Sequence, residues 1–354
     1  MIFFIIPYNK IGGAEKVHLE IIKSIPHSKW KFILFYDTDD SPISSDFLKI
    51  AKVFVLESKL KRKLFNFLLI TLSYISPLTI FGCNSDHFYF LLPKISRKSL
   101  TVDLTHAFAF KEIGKEDPAL KHIPLIDKRV VINRRTLIDY ENEYRAEGIE
   151  LHYLNRFQII PNGIPIKNFE KNQIPDRFLN FKIGFVGRFS YEKRPEIFLS
   201  LASSEFETDI KAKMIVDKFK PSRDTYNKIE IVEGINDVES VRKEFASLSV
   251  LIVSSEREGF PLVIMEAMEQ GIPVISTGVG SIEEHLHNGF NGFIYNGIDS
   301  EGFLEFCKLK INLMAQDKEL YTNLSFNARS YAEKYFNIDN FYEAYKELLL
   351  GENK

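Results

Sequence analysis

Val250 to Gly280 reads VLIVSSEREGFPLVIMEAMEQGIPVISTGVG. Val250–Val253 is an unbroken apolar run, the composition of a strand covered on both faces. A polar segment, Ser254-Ser255-Glu256-Arg257-Glu258, follows it. From Leu262 the pattern turns helical and stops at Gly271, a residue suited to the left-handed turn that closes a helix. Pro273 reinforces the stop and opens the next strand, Val274–Ser276. Strand, loop, helix and strand in this order form the unit from which parallel sheets are built.

The same alternation extends over the whole chain. Upstream, strands are expected at Ile2–Ile6, Phe32–Tyr36, Val53–Leu56, Leu78–Phe81, Thr101–Thr105, Arg129–Ile132 and Gln158–Ile160. The second half offers Lys182–Val186, Lys213–Val216, Glu230–Val232, Val250–Val253, Val274–Ser276 and Gly292–Tyr295. Several are β-branched or aromatic without period-2 alternation, as buried parallel strands are. Helical stripes lie between them, such as Val17, Ile21, Ile22 and Ile25 in 14–25. Pro161 to Leu179 holds three prolines, Asn162-Gly163 and little periodicity, which makes it the joint between two α/β domains. We expect an N-terminal domain over 1–165, a C-terminal domain over 166–334, and a final helix within about 335–354 that packs back on the first.

Composition agrees with this size. The 354 residues carry 46 Lys+Arg against 48 Asp+Glu, a formal charge of −2, and are 45% hydrophobic. Such a chain is long enough for two domains and too apolar for bulk disorder. Its near-neutral balance supplies no global field for nucleic acid, and no nucleic-acid partner is expected. Cys83 and Cys307 are the two cysteines, too far apart in sequence for a zinc knuckle or a disulfide framework, which suits a reducing cytoplasm. The start, Met1-Ile-Phe-Phe-Ile-Ile-Pro7, lacks a basic leader and reads as a buried strand. Leu64–Phe81 is strongly apolar behind Lys59, Lys61, Arg62 and Lys63. Asn66, Thr71, Ser73 and Ser76 interrupt it and Pro77 cuts it below the roughly 20 residues of a membrane span. Two readings stand for residues 59–69: an interfacial helix on an anionic membrane, or a core helix with a solvated basic start.

The loop Glu258-Gly259-Phe260-Pro261 joins a strand's carboxyl end to a helix's amino end. Ligands of open α/β sheets bind at that edge, and a helix start favours phosphate. Glu258 in the loop and Glu266 one turn inside the helix stand eight positions apart, each placed to accept hydrogen bonds from sugar hydroxyls; read blandly, both are solvated charges. Gly187-Arg188-Phe189-Ser190-Tyr191-Glu192-Lys193 follows the strand Lys182–Val186. Arg188 as a fork and Lys193 as a point charge suit a pyrophosphate, and by themselves they are equally two surface cations. Gly12-Gly13 allows close backbone approach to a phosphate or sugar, and a tight turn explains it almost as well. Ser281-Ile-Glu-Glu284 has the form of a capping box, so Glu284 is assigned to its own helix. Asp37-Thr-Asp39-Asp40 after an apolar strand has the look of a divalent-metal motif. Its setting is equally a polar turn, and no metal is expected.

Glu258-Gly-Phe-Pro-Leu-Val-Ile-Met-Glu266, followed by Ala267-Met-Glu-Gln-Gly271-Ile-Pro273-Val, resembles the E-x7-E segment of retaining family 4 glycosyltransferases. The likeness continues at Gly278-Val-Gly280-Ser-Ile-Glu-Glu284, with Ser281 where the family usually has Gly and Glu283 where it has Pro. It covers most of 181–296 and more thinly the N-terminal half. The resemblance implies a GT-B fold, two Rossmann-like doubly wound domains facing across a cleft, and a nucleotide-diphosphate sugar as donor. It implies Arg188 and Lys193 on the donor diphosphate, Glu266 on the ribose and Glu258 on the sugar hydroxyls. The backbone at Gly234-Ile235 would meet the base. Gly187, Gly259, Phe260, Pro261, Leu262 and Val263 would line the donor site. His106 would touch the donor sugar, and the Gly12-Gly13 loop would close over it, whereas His18, His122 and His285 are less well placed.

The implied reaction is retaining transfer of a hexose-type sugar from a UDP- or GDP-linked donor to a saccharide or lipid-linked hydroxyl, without metal or other cofactor. Surface-polysaccharide or glycolipid synthesis on the cytoplasmic side of a membrane would use it. Whether Glu258 positions the sugar or attacks it stays open at this level. A nucleotide-sugar 2-epimerase on the same architecture, and a two-lobed binder without turnover, are the rival readings.

Overall fold

The computed structural model describes residues 1–6, 13–36, 45–83, 85–106, 119–235, 238–297 and 299–351. The chain divides into two compact units: Met1–Asn162 together with the C-terminal helix from Asp339, and Gly163–Ile338. Among the described residues each unit carries one wholly parallel sheet with helices between its strands.

Unit 1 runs β1 (Ile2–Ile6), α1 (Gly13–Ser24), β2 (Lys31–Phe35), α2 (Ser45–Ile50), β3 (Lys52–Val55), α3 (Lys59–Ile75), β4 (Thr79–Cys83), α4 (Asp86–Leu91), β5 (Leu100–Thr105), β6 (Lys128–Val131), α5 (Arg134–Ala146) and β7 (Phe157–Ile159). Its strand order is β3-β2-β1-β4-β5-β6-β7. Unit 2 runs α6 (Gln173–Leu179), β8 (Lys182–Gly187), α7 (Pro195–Ala202), β9 (Lys211–Val216), β10 (Ile229–Glu233), α8 (Val238–Ala246), β11 (Val250–Val253), α9 (Leu262–Glu269), β12 (Val274–Thr277), β13 (Gly292–Tyr295), α10 (Ser300–Gln316) and α11 (Lys318–Tyr335). Its order is β10-β9-β8-β11-β12-β13. A last helix, α12 (Ile338–Leu350), ends the chain. Each expected strand is present to within two residues at either end. Both sheets are doubly wound, and this is the GT-B pair of Rossmann-like folds.

Both sheets reverse their order once, between β1 and β4 in unit 1 and between β8 and β11 in unit 2. The crevice beyond the carboxyl ends of those strands is where doubly wound sheets hold ligands. A buried apolar cluster packs on a face of each sheet: Phe3, Ile5, Leu34 and Ile80 with Phe88 in unit 1, and Ile183, Phe185, Met214 and Ile252 with Phe198 in unit 2. Gly82 shows how close this packing is, since a Cβ there would fall 2.2 Å from the ring of Phe88.

The apolar stretch at 64–81 divides into α3 and β4. Ser58 caps α3 by accepting a hydrogen bond from the Lys61 amide. No helix among the described residues is long and apolar enough to cross a membrane. Leu69 and Ser73 of α3 are buried, and Phe65, Ile70 and Leu72 pack against the unit 1 core. The opposite face is apolar too: Leu60, Leu64, Phe67, Leu68, Tyr74 and Ile75 are exposed, Leu60 by 78% and Ile75 by 74%. Their spacing of 4, 3, 1, 6 and 1 residues makes one stripe along the helix. The basic start is smaller than the sequence suggests. Arg62 turns inward and donates to the carbonyls of Leu56 at 2.6 Å and Tyr36, leaving Lys59, Lys61 and Lys63 at the surface.

Candidate functional site

Unit 2 gathers its charged side chains at the switch point. β8 ends at Gly187, and the chain makes a short 3-10 turn over Tyr191–Lys193. Arg194 then takes the left-handed conformation, φ 46° and ψ 54°, among the described residues the one such position not occupied by glycine. Two interactions hold it there: its Nε donates to the Ser254 carbonyl at 2.6 Å and Nη2 to the Ser255 carbonyl at 3.3 Å. The Ser254 hydroxyl returns a bond to the Lys193 carbonyl at 2.8 Å, and the Glu256 amide donates to the Glu192 carbonyl at 2.9 Å. The loops after β8 and β11 are therefore stitched to each other.

That stitching presents Lys193 to Glu258. Lys193 Nζ is ion-paired with Glu258 Oε1, their side chains 21% and 12% exposed. The Ser255 hydroxyl donates to the same carboxylate oxygen at 2.7 Å. Arg188 is further out, 67% exposed and paired with Glu192 at 3.0 Å. Immediately after Glu258 the chain enters α9 through Pro261, with no side-chain cap, so the first amides of α9 face the loop without a side-chain acceptor. Phe260 is buried between the rings of His285 and Phe336, at 4.5 and 5.5 Å. Leu262, Val263 and Glu266 are half-buried on the first turns of α9. Gly271 ends that helix region at φ 65°, as its place in the sequence implies.

The loop after β12 underlies this arrangement. Gly280 has φ 62°, and a Cβ there would lie 2.1 Å from the Glu258 carbonyl oxygen and 2.6 Å from that of Gly259. The Ser281 amide and hydroxyl both donate to the Gly259 carbonyl at 2.9 Å. This corrects the capping-box expectation: Ser281 makes no side-chain cap to the turn Ile282–Glu284, because its hydroxyl is already bonded to Gly259. The Gly259 carbonyl was also beyond reach of a local motif, since the contact spans 22 residues. Gly234 follows β10 at φ 69° with its amide on the Val216 carbonyl at 3.1 Å, and Ile235 is half-buried beside it. Among unit 2 residues, sequence reading passed over Ser255, which bonds Glu258, and Arg194 and Ser254, which join the two loops.

Unit 1 differs. Gly13 opens α1 with no atom within 4 Å of where a Cβ would stand. Gly12 and the Asp37, Asp39 and Asp40 motif lie outside the described residues. His106 follows β5 at the carboxyl edge, half-buried, and its Nε2 lies 3.1 Å from Nε2 of His18 on α1. Burial holds the His106 imidazole at a pKa of about 4, against an ordinary 6.5, and pushes His18 well below the same value, with His106 adding to the effect. Both rings are neutral near pH 7. His18, judged less well placed from sequence, is thus the direct neighbour of His106. The signal was present: it falls on the buried stripe of α1 with Val17, Ile21 and Ile22, where a polar ring needs a partner.

Residues 167–331 match the model of the family described as glycosyl transferases group 1. A D-inositol 3-phosphate glycosyltransferase of Paenarthrobacter aurescens is 28% identical over 180 residues, covering 43% of each chain. A UDP-Gal:alpha-D-GlcNAc-diphosphoundecaprenol alpha-1,3-galactosyltransferase of Escherichia coli is 22% identical over 278 residues, 70% of this chain and 68% of that one. The first curated relatives are matched over less than half their length. In fold, the chain is similar to the Anabaena protein HepE in complex with UDP, with a TM-score of 0.76, 18% identity, and coverage of 98% of this chain and 99% of that one.

Proposed function

We propose, for a chain whose residues 167–331 belong to the glycosyl transferases group 1 family, that the molecule moves a sugar from a nucleoside-diphosphate donor to an acceptor hydroxyl with retention at the anomeric carbon. The observation that carries this reading is the Lys193–Glu258 ion pair, steadied by Ser255, beside the uncapped start of α9 at the switch point of a doubly wound sheet. A cation and a helix amino end side by side match a diphosphate. A carboxylate next to them matches the hydroxyls of the sugar attached to it.

Departure of the nucleoside diphosphate builds negative charge on its phosphate oxygens. Arg188, Lys193 and the first amides of α9 stabilise that charge as it grows, without a metal at the diphosphate. Glu258 accepts hydrogen bonds from the sugar's ring hydroxyls and Glu266 from the ribose, while the Gly234-Ile235 backbone meets the base. Gly187, Gly259, Phe260, Pro261, Leu262 and Val263 line the donor. For His106, whose ring is neutral, and for Gly12-Gly13 we keep the donor-sugar role that the family resemblance implies. A UDP-linked donor is supported by the UDP bound in the similar HepE structure. A lipid-linked acceptor is supported by the diphosphoundecaprenol-linked substrate named for the E. coli relative.

The exposed stripe of α3 fits an acceptor of that kind. Six large apolar side chains face outward beside Lys59, Lys61 and Lys63, the composition of a helix seated in an anionic interface. Each such lysine contributes about 1 kcal/mol of attraction near an anionic surface. This supports a seat for the protein on the cytoplasmic face of a membrane. Co-sedimentation with phosphatidylglycerol vesicles at low salt, lost in Phe67→Asp, is the expected result; equal binding to neutral and anionic vesicles would remove the electrostatic half.

The reaction is tested by measuring UDP and GDP release from a panel of nucleotide sugars, with and without saccharide and lipid-linked acceptors. Release that requires acceptor supports transfer. Donor consumption without acceptor points to an epimerase, and binding without turnover to a non-catalytic protein.

A further inference from the structure

Three side chains at the carboxyl edge of the unit 1 sheet come from distant parts of the chain and meet. His18 is on α1, Cys83 ends β4 and His106 follows β5. One ring nitrogen of each histidine and Sγ of Cys83 all lie within 4.8 Å of one another. The two Nε2 atoms are 3.1 Å apart. On a tetrahedral zinc ion, ligand distances of about 2.0–2.1 Å to nitrogen and 2.3 Å to sulfur put two nitrogens roughly 3.4 Å apart and nitrogen from sulfur roughly 3.6 Å. The cluster is therefore within small side-chain adjustments of one face of a coordination tetrahedron.

One further observation bears on this cluster: His18 Nδ1 is buried and has no hydrogen-bond partner among the described residues, so no bond on that side of the ring holds it against the adjustment that coordination needs. Two imidazoles and one sulfur are borderline-soft ligands, which suit zinc and disfavour magnesium, calcium and manganese. Three protein ligands leave a fourth position for water.

We propose that His18, Cys83 and His106 form a three-ligand zinc site at the switch point of the unit 1 sheet, separate from the diphosphate-binding groups of unit 2. Binding forms one zinc–sulfur and two zinc–nitrogen bonds and releases the Cys83 thiol proton to solvent. The ion pins α1 to the ends of β4 and β5. This goes beyond sugar transfer: none of the groups facing the diphosphate takes part, and the ion and the donor sugar are alternative partners for the one shared ring, His106.

The test uses the full chain freed of metal with a chelator. Cobalt(II) titration should give a thiolate-to-cobalt charge-transfer band with tetrahedral visible bands at one equivalent, displaced by zinc. Cys83→Ser should lose the charge-transfer band, and His18→Gln should weaken binding at least 10-fold, with far-UV circular dichroism showing that each variant folds. A second measurement needs no variant: zinc should slow alkylation of Cys83 at least 10-fold and leave Cys307, buried elsewhere, unaffected. Absence of the charge-transfer band, equal protection of both thiols, or equal zinc binding by folded His18→Gln and unaltered chain would each overturn the proposal.

Discussion

In unit 2 the carboxyl edge at the strand-order reversal carries formal charge, with Lys193 against Glu258 and Arg188 against Glu192. In unit 1 the edge at the matching reversal carries two imidazoles kept neutral by burial and a thiol whose pKa burial pushes up. The two sheets nonetheless run in the same order, two strands to one side of the first and the later strands to the other. Shared topology has put a ligand-facing crevice on both sheets, and the side chains at the loop starts have given each crevice a different chemistry. In the reading proposed above, one suits phosphate and the other neutral hydrogen bonding or a soft cation.

The strongest way to probe this comparison is to ask whether both frameworks rest on the same internal device. Each unit buries an ion pair: Arg129 with Asp103 at 2.9 Å in unit 1, with Tyr89 and Tyr144 bonded to the pair, and Arg329 with Glu269 at 3.1 Å in unit 2. Removing one partner strands the other charge out of water. Asp103→Ala and Glu269→Ala are each expected to cost about 3–5 kcal/mol, read as a fall in the urea midpoint. A change under 1 kcal/mol in either would show that the two units are not held alike.

Catalysis should expose the difference between the edges. Lys193→Ala removes a charged group from the developing diphosphate and is expected to lower kcat about 100- to 1,000-fold with circular dichroism unchanged. Near-wild-type turnover by the folded variant would take the diphosphate away from this edge. Gly280→Ala probes the floor beneath the same edge. Its methyl group would meet the Glu258 carbonyl at 2.1 Å in a left-handed conformation, costing about 2–4 kcal/mol through strain and overpacking. Thermal melting should show the loss, and donor affinity should fall with it because the Glu258 backbone is displaced.

Much of this framework was legible in the residues, and the exceptions have a common cause. Strand positions follow from local apolar runs, and the α9 loop from Gly271 and Pro273, because these signals act over a few residues. Lys193 and Glu258 were singled out by the family resemblance, since residue by residue each reads equally as a surface charge. The His18–Cys83–His106 meeting was not legible, since it joins α1, β4 and β5 through strand order rather than spacing. Ser281 misled for a related reason: the local capping geometry competes with a carbonyl brought from Gly259 by the fold. Arg62 likewise reads as a surface cation until the residue after β2 supplies the Tyr36 carbonyl.

Acidification sharpens the comparison more gently. His285 in unit 2 and His87 in unit 1 each have a pKa of about 4, lowered chiefly by burial, with His287 assisting in one case and Arg62 and Lys94 in the other. The unfolded chain takes up these protons near pH 6.5, before the folded chain does, so stability is full above that pH and is lost as pH falls toward 4. His285→Phe keeps a ring against Phe260 and Phe336 and removes the titrating group. Between pH 6.5 and 4 it should lose about 1–3 kcal/mol less than the parent chain. An identical pH dependence of the urea midpoint would show that His285 is charged in the folded state.

The smallest effect bears most directly on the contrast between the edges. His106 is neutral at pH 7, so its proposed contact with the donor sugar is a hydrogen bond between uncharged groups, worth about 0.5–1.5 kcal/mol. His106→Ala, assayed on chelator-treated protein so that no ion occupies the ring, should therefore lower kcat/KM about 2- to 13-fold, well short of the loss in Lys193→Ala. The ratio of the two losses is the informative quantity. If it is large, the charged edge of unit 2 carries the bond-breaking and unit 1 orients the sugar. If His106→Ala instead matches Lys193→Ala, the neutral edge takes part in the bond-breaking step, and the division of labour drawn from the two sheets fails.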